Sequence, residues 1–120
     1  MGGITLTRIN VVPVSELTRE HLVAEYRELP RISKLARVLK PSQVPKDYKL
    51  GAGHMYFFYD KGLFLKRRFE DEIVPEMHRR GYVTKYTKYR EHPAGLNKDY
   101  IVTDNALRIN RARIKERLKG

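Results

Sequence analysis

Two stretches near the start of the chain carry residue types able to do chemistry. Thr7-Arg8-Ile9-Asn10 lies beside the N-terminus, and His21-Leu22-Val23-Ala24-Glu25-Tyr26-Arg27-Glu28-Leu29-Pro30-Arg31 follows it with a histidine, two carboxylates and two arginines. An amine near the chain's start is a possible nucleophile, and a carboxylate set between cations is a possible proton acceptor. Glu28 is the sharper candidate, because Arg27 and Arg31 favour its ionised form on a surface that faces a polyanion. A plain surface ion pair is the competing reading of the same three residues. His21 and Glu25 stand one helical turn apart and could share a metal, but His54, His78 and His92 lack the spacing that would complete a site, so no metal is expected.

Three other stretches invite a functional reading. Gly51-Ala52-Gly53-His54 has the glycines of a phosphate loop, but Tyr56 stands at the third glycine position of that pattern, so a turn into a helix is expected. Lys85-Tyr86-Thr87-Lys88-Tyr89-Arg90 interleaves cations with rings, which suits phosphate contact and base stacking, or equally a solvated loop whose tyrosines pack inward. Near the C-terminus Arg108, Arg111, Arg113, Lys115, Arg117 and Lys119 face only Asp104 and Glu116, a nearly single-sign surface that favours phosphate contact.

The elements that must position these groups read as helices. Ser15 is expected to cap a first helix whose apolar side holds Leu17, Leu22, Tyr26 and Leu29, with a break at Pro30, where the chain loses an amide. Ile32, Leu35, Ala36 and Leu39 restart a helical stripe, and Pro41 and Pro45 close it into a surface loop through Lys46-Asp47-Tyr48. From His54 the spacing of Phe58, Leu65, Phe69, Ile73 and Met77 predicts one long helix ending near Gly81, bent or divided at Pro75. Residues 82–103 hold no period. Thr103 or Asp104 then caps a last helix with Leu107, Ile114 and Leu118 inward. The expected fold is all-α: a single compact domain of about three main helices joined by long irregular connections.

With 120 residues the chain suits one domain and a modest core. Its 25 Lys and Arg against 14 Asp and Glu give a formal charge of +11, which attracts polyanions, and nucleic acid leads among possible partners. There is no cysteine, so disulfides and thiolate chemistry are excluded. No stretch approaches twenty apolar residues and the N-terminus lacks a signal-peptide layout, so a soluble cytoplasmic protein is expected.

The blocks Thr7 to Asn10, His21 to Arg31, Leu50-Gly51-Ala52-Gly53-His54, Phe57-Phe58-Tyr59-Asp60-Lys61 and Asp99-Tyr100-Ile101 resemble the pyrimidine dimer DNA glycosylases, from Thr7 to about Leu118. The resemblance implies a DNA repair enzyme, a small helical domain that kinks duplex DNA at a cyclobutane pyrimidine dimer and flips out the base opposite. It implies that the α-amine of an N-terminal threonine, matching Thr7, attacks C1′ and forms an imine, that Glu28 is the essential carboxylate, and that no metal or cofactor takes part. Arg8, His21, Arg27 and Arg31 match the family's basic residues around the lesion, and Arg113 and Arg117 the cations of the last helix. Ultraviolet-damaged or abasic double-stranded DNA is the implied partner, a monomer is expected, and no membrane is involved.

Residues 1–6 depart from the family pattern, because Met1-Gly2-Gly3-Ile4-Thr5-Leu6 places the Thr7 amine in a peptide bond. They read as a leader ahead of a glycosylase/lyase domain over 7–120. Either Leu6 stands for an initiator residue that is removed, or the amine of Gly2 reaches the site on the leader, a span of about five residues and well over 10 Å. Two further readings stay open: a non-catalytic basic DNA-binding protein, and a lyase confined to abasic sites.

Overall fold

The computed structural model describes residues 9–118. Its helices are α1 (Arg19–Glu28), α2 (Arg31–Val38), α3 (His54–Phe57), α4 (Gly62–Arg67), α5 (Val74–Arg79) and α6 (Asp104–Leu118). A 3-10 turn precedes α1 at Val14–Glu16, and a π-helical segment, Arg68–Ile73, joins α4 to α5. Among the described residues there is no strand beyond one isolated antiparallel bridge between Lys61 and Asn97. The molecule is all-α.

The first helix starts later than Ser15 suggests. Thr18 is its cap, with its hydroxyl oxygen accepting the His21 amide at 3.2 Å, while Ser15 lies inside the 3-10 turn. Pro13 and Val14 supply the carbonyls that close that turn, so the chain bends once before the α-helix nucleates. The break at Pro30 is as expected: α1 closes with the Leu29 amide on the Glu25 carbonyl, and α2 begins at Arg31.

The long helix expected from His54 to Gly81 is divided. Phe58 to Lys61 turn out of helix because residues 96–98 take their backbone groups: Gly62 donates to the Leu96 carbonyl, Phe64 to that of Lys98, and Lys98 to that of Asp60. A β-carbon at Gly62 would meet the Asn97 side chain at 2.3 Å, so this crossing needs glycine. From Gly62 the chain stays helical to Arg79, with the wide π turn ahead of Pro75, where the Val74 amide reaches back five residues to Phe69. The wider turn gives room to the ring of Pro75, which has no amide to donate.

Thr103 caps α6, its hydroxyl accepting the Ala106 amide at 3.0 Å. The buried line along α6 runs through Ala106, Asn110 and Ile114, with Leu107 half-buried beside it. The Leu118 side chain lies outside the described residues. The core gathers Ile9, Leu22, Leu29, Ile32, Phe57, Phe58, Leu65, Phe69 and Ile73, all fully buried. Tyr48 also belongs to the core, which corrects the expectation of a surface loop at 46–48. Its hydroxyl donates to the Ile9 carbonyl and its ring meets Phe57 and Phe58 edge-on. Gly51 and Gly53 take positive φ and turn the chain into α3, as a turn rather than a phosphate loop.

Candidate active site

The segment Ile9–Val12 is buried throughout, and side chains from distant parts of the chain meet its backbone groups. The Ile9 amide donates to His54 Nε2 at 3.1 Å, and His54 Nδ1 donates to the Lys49 carbonyl at 2.8 Å, which fixes the tautomer. The amides of Val11 and Val12 share Asn110 Oδ1 at 2.7 and 3.2 Å. The Val12 carbonyl accepts from Arg68 Nη1 at 2.9 Å.

Asn10 sits at the centre of this arrangement and is fully buried. Its amide nitrogen donates to Glu25 Oε1 at 2.9 Å, and its oxygen accepts from Asn110 Nδ2 at 2.8 Å. Glu25 is fully buried too and takes two bonds from Arg68, from Nε to Oε2 and from Nη2 to Oε1 at 3.1 Å. Burial works against the Arg68 charge, but the Glu25 carboxylate outweighs it and holds the guanidinium protonated. Arg68, Glu25, Asn10 and Asn110 thus form one satisfied polar chain across three helices. Its position answers the metal reading of His21 and Glu25, because both Glu25 oxygens are committed to donors.

Glu28 lies one turn beyond Glu25 on α1, on the same side of the helix. Its side chain is 26% exposed, and Oε2 stands 3.6 Å from Arg31 Nη1. Arg27 and Arg31 are both exposed on the flank of α1 and the start of α2. On the other side of Glu25, one turn earlier, His21 is 1% exposed. Its Nδ1 lies 2.8 Å from the Thr18 hydroxyl, and no described group reaches its Nε2. Burial lowers the affinity of this imidazole for a proton, Glu20 and Glu25 oppose that, and Arg117 reinforces it, so His21 is held below the ordinary histidine range. Arg113 and Arg117 are half-buried, and Arg113 Nε lies 3.8 Å from Glu116. Thr7 and Arg8 lie outside the described residues.

A model of the pyrimidine dimer DNA glycosylase family matches residues 6–90. The chain belongs to that family. The match spans the segment that threads the core, the whole of α1 and α2, and the His54 to Arg79 run, so it contains Asn10, Glu25, Glu28 and Arg68. It ends before α6, whose Asn110 completes the buried chain. Members of the family are DNA glycosylases that act on pyrimidine dimers in DNA.

Next to this polar chain the loop at 82–90 is fastened to α1. Tyr26 Oη donates to the Tyr86 carbonyl at 2.9 Å and accepts the amides of Lys85 and Tyr86 at 3.0 and 3.2 Å. The Tyr86 ring stacks on Tyr26 with centroids 5.0 Å apart and keeps one side half open. Tyr89 points inward instead, its hydroxyl donating to His92 Nε2 at 2.6 Å, while Lys85, Tyr86, Thr87, Lys88 and Arg90 stay at the surface. An open groove beside Arg27 is lined by Arg19, Val23, Met77, Tyr82, Lys85 and Tyr86. The opposite flank of α6 is less single-sign than its sequence suggests, because Arg111 is paired with both oxygens of Glu16.

The fold makes evident what sequence reasoning left out. Asn10, Arg68 and Asn110 carry no chemistry by type, and polar residues at those positions read as surface. The one available signal was Asn10 inside the Thr7 to Asn10 block. No helix among the described residues is long and apolar enough to cross a membrane.

Proposed function

We propose that this glycosylase is bifunctional: it excises one base of a cyclobutane pyrimidine dimer and then cleaves the strand at the abasic site, through an imine made by an N-terminal amine. The observation that carries the reading is the anchored course of Ile9–Val12 along the face of α1 that also bears Glu28. A chain whose first residue is Thr7 has its amine two residues ahead of Ile9, within about 8 Å of its Cα. An α-amine with a pKa near 8 is neutral in a substantial fraction at neutral pH and needs no lysine-like depression.

In the proposed sequence the amine nitrogen bonds to C1′ of the 5′ nucleotide while the glycosidic C1′–N bond breaks, and the departing base takes a proton. The sugar opens as the nitrogen lone pair forms the C1′=N imine. Loss of a C2′ proton then expels the 3′ phosphate by β-elimination, and water hydrolyses the imine to free the protein. Glu28 is the carboxylate assigned to these proton transfers and to the opened sugar. Arg8, Arg27 and Arg31 contact phosphates around the lesion, Arg113 and Arg117 extend that contact from α6, and His21 is buried with its proton affinity lowered. A monomer acting on duplex DNA suffices for this arrangement, and Lys85 with the Tyr86 ring supplies backbone contact and a stacking surface beside Arg27.

Strand cleavage of dimer-containing and abasic duplexes, measured with Glu28→Gln alongside the unsubstituted protein, tests the reading. Glu28→Gln is expected to lose cleavage of both while retaining duplex affinity. Cleavage of the abasic duplex alone by the unsubstituted protein would establish a lyase confined to abasic sites, and binding without any cleavage would establish a DNA-binding protein that lacks the chemistry.

A further inference from the structure

We propose that Asn10 is a positioning residue that sets where the N-terminal amine stands relative to Glu28. The inference rests on the imine reading above and adds to it the device that holds the nucleophile's backbone in place. An amine at a chain end is the least constrained group a protein has, with free rotation about each bond behind it, and imine formation needs it near C1′ in a narrow range of approach. Something must remove that freedom.

The buried polar chain does so. Asn10 is fastened at both ends of its side chain, to Glu25 at 2.9 Å and to Asn110 at 2.8 Å. Glu25 cannot yield, because Arg68 holds both its oxygens and all three groups are sealed from water. Asn110 cannot yield either, since its oxygen also takes the amides of Val11 and Val12. Ile9, the residue before Asn10, is pinned through both backbone groups, to His54 and to Tyr48. The chain ahead of Ile9 therefore starts from a fixed point, and Asn10 ties that point to the helix turn immediately before Glu28. Nucleophile and proton acceptor are thereby referred to one helix.

This arrangement differs from a merely structural ion pair in where its benefit falls. A buried Glu–Arg pair with no third member would stabilise or destabilise the fold and leave catalysis to scale with folded protein. A side chain that transmits position instead changes the rate at saturation and leaves duplex affinity nearly unchanged, because Arg27, Arg31, Arg113 and Arg117 sit on α1, α2 and α6 and only Arg8 among the proposed phosphate contacts sits on the segment that Asn10 holds.

The test is borohydride trapping on a saturating abasic duplex, in whichever form of the unsubstituted protein traps, the full chain or the chain beginning at Thr7. Asn10→Ala is compared with Phe64→Leu, a core change next to Tyr100 and Phe58 that lowers thermal stability without touching the polar chain. Per folded molecule, Asn10→Ala is expected to trap about 10- to 100-fold more slowly with duplex affinity within about threefold, and Phe64→Leu to trap at the unsubstituted rate. Trapping by Asn10→Ala at the unsubstituted rate overturns the inference and leaves the imine reading intact. Equal slowing in Phe64→Leu overturns it as well, since the effect would then follow stability. Strand cleavage by an unsubstituted protein that never traps removes the imine reading and this inference together.

Discussion

Glu25 and Glu28 are the same side chain one helical turn apart, in opposite surroundings. Glu25 is sealed from water against Arg68, whereas Glu28 keeps a quarter of its surface and a loose contact with Arg31. The consequences of substitution diverge accordingly. Arg68→Met strands a buried carboxylate and should cost about 3–5 kcal/mol of stability, measured by urea unfolding. Arg31→Ala, which removes a 70%-exposed partner, should cost under about 1 kcal/mol in the same assay while weakening duplex affinity. Equal losses of stability would mean that Glu25 and Glu28 do not differ in the way their burial indicates.

At the scale of elements, the sequence patterns and the structure agree where local chemistry decides and part where distant residues do. Pro30 separates α1 from α2, and Thr103 caps α6, both from rules that act within four residues. The cap of α1 moved to Thr18 because the 3-10 turn at Val14–Glu16 uses up the residues around Ser15. Thr18→Ala should therefore cost about 1 kcal/mol and Ser15→Ala close to nothing, a difference readable from Tm. The helix from His54 was interrupted by residues 96–98, more than thirty positions away, and no periodicity within the helix could reveal that. The polar chain was equally hidden, since Asn10 and Asn110 are 100 residues apart and asparagine is ordinarily a surface residue. The Glu28–Arg31 ion pair was legible because its two residues are three positions apart, across the Pro30 break. Its companion, the anchored N-terminal segment, was not, because the anchors come from α1, α6 and the π segment.

For the molecule as a whole, charge and burial set two dependences. The formal charge of +11 predicts duplex binding that weakens steeply and log-linearly with salt, and a flat dependence would contradict an electrostatic contact with phosphates. Stability follows the buried imidazoles. Burial holds both His21 and His92 below the ordinary value of 6.5, so each is neutral when folded and takes up a proton more readily when unfolded. Their contribution is complete above about pH 6.5 and is lost as pH falls below it toward the depressed native values. Glu76 keeps its charge far lower, its carboxyl brought down to about 2 by Arg79 and Arg80, so its contribution is lost only below the ordinary 4.5. Tm should thus decline between pH 6.5 and 5 before any carboxylate effect, and a Tm constant over that interval would contradict the burial of these rings.

The central claim is that an N-terminal amine carried by the anchored segment forms an imine with the damaged sugar. Borohydride reduction of the protein on dimer-containing duplex, followed by peptide mapping of the adduct, addresses it directly. A covalent adduct that maps to the N-terminal residue, and is strongest when Thr7 is first, is the expected result. An adduct on an internal lysine, or strand cleavage with no adduct in either form of the chain, would contradict it.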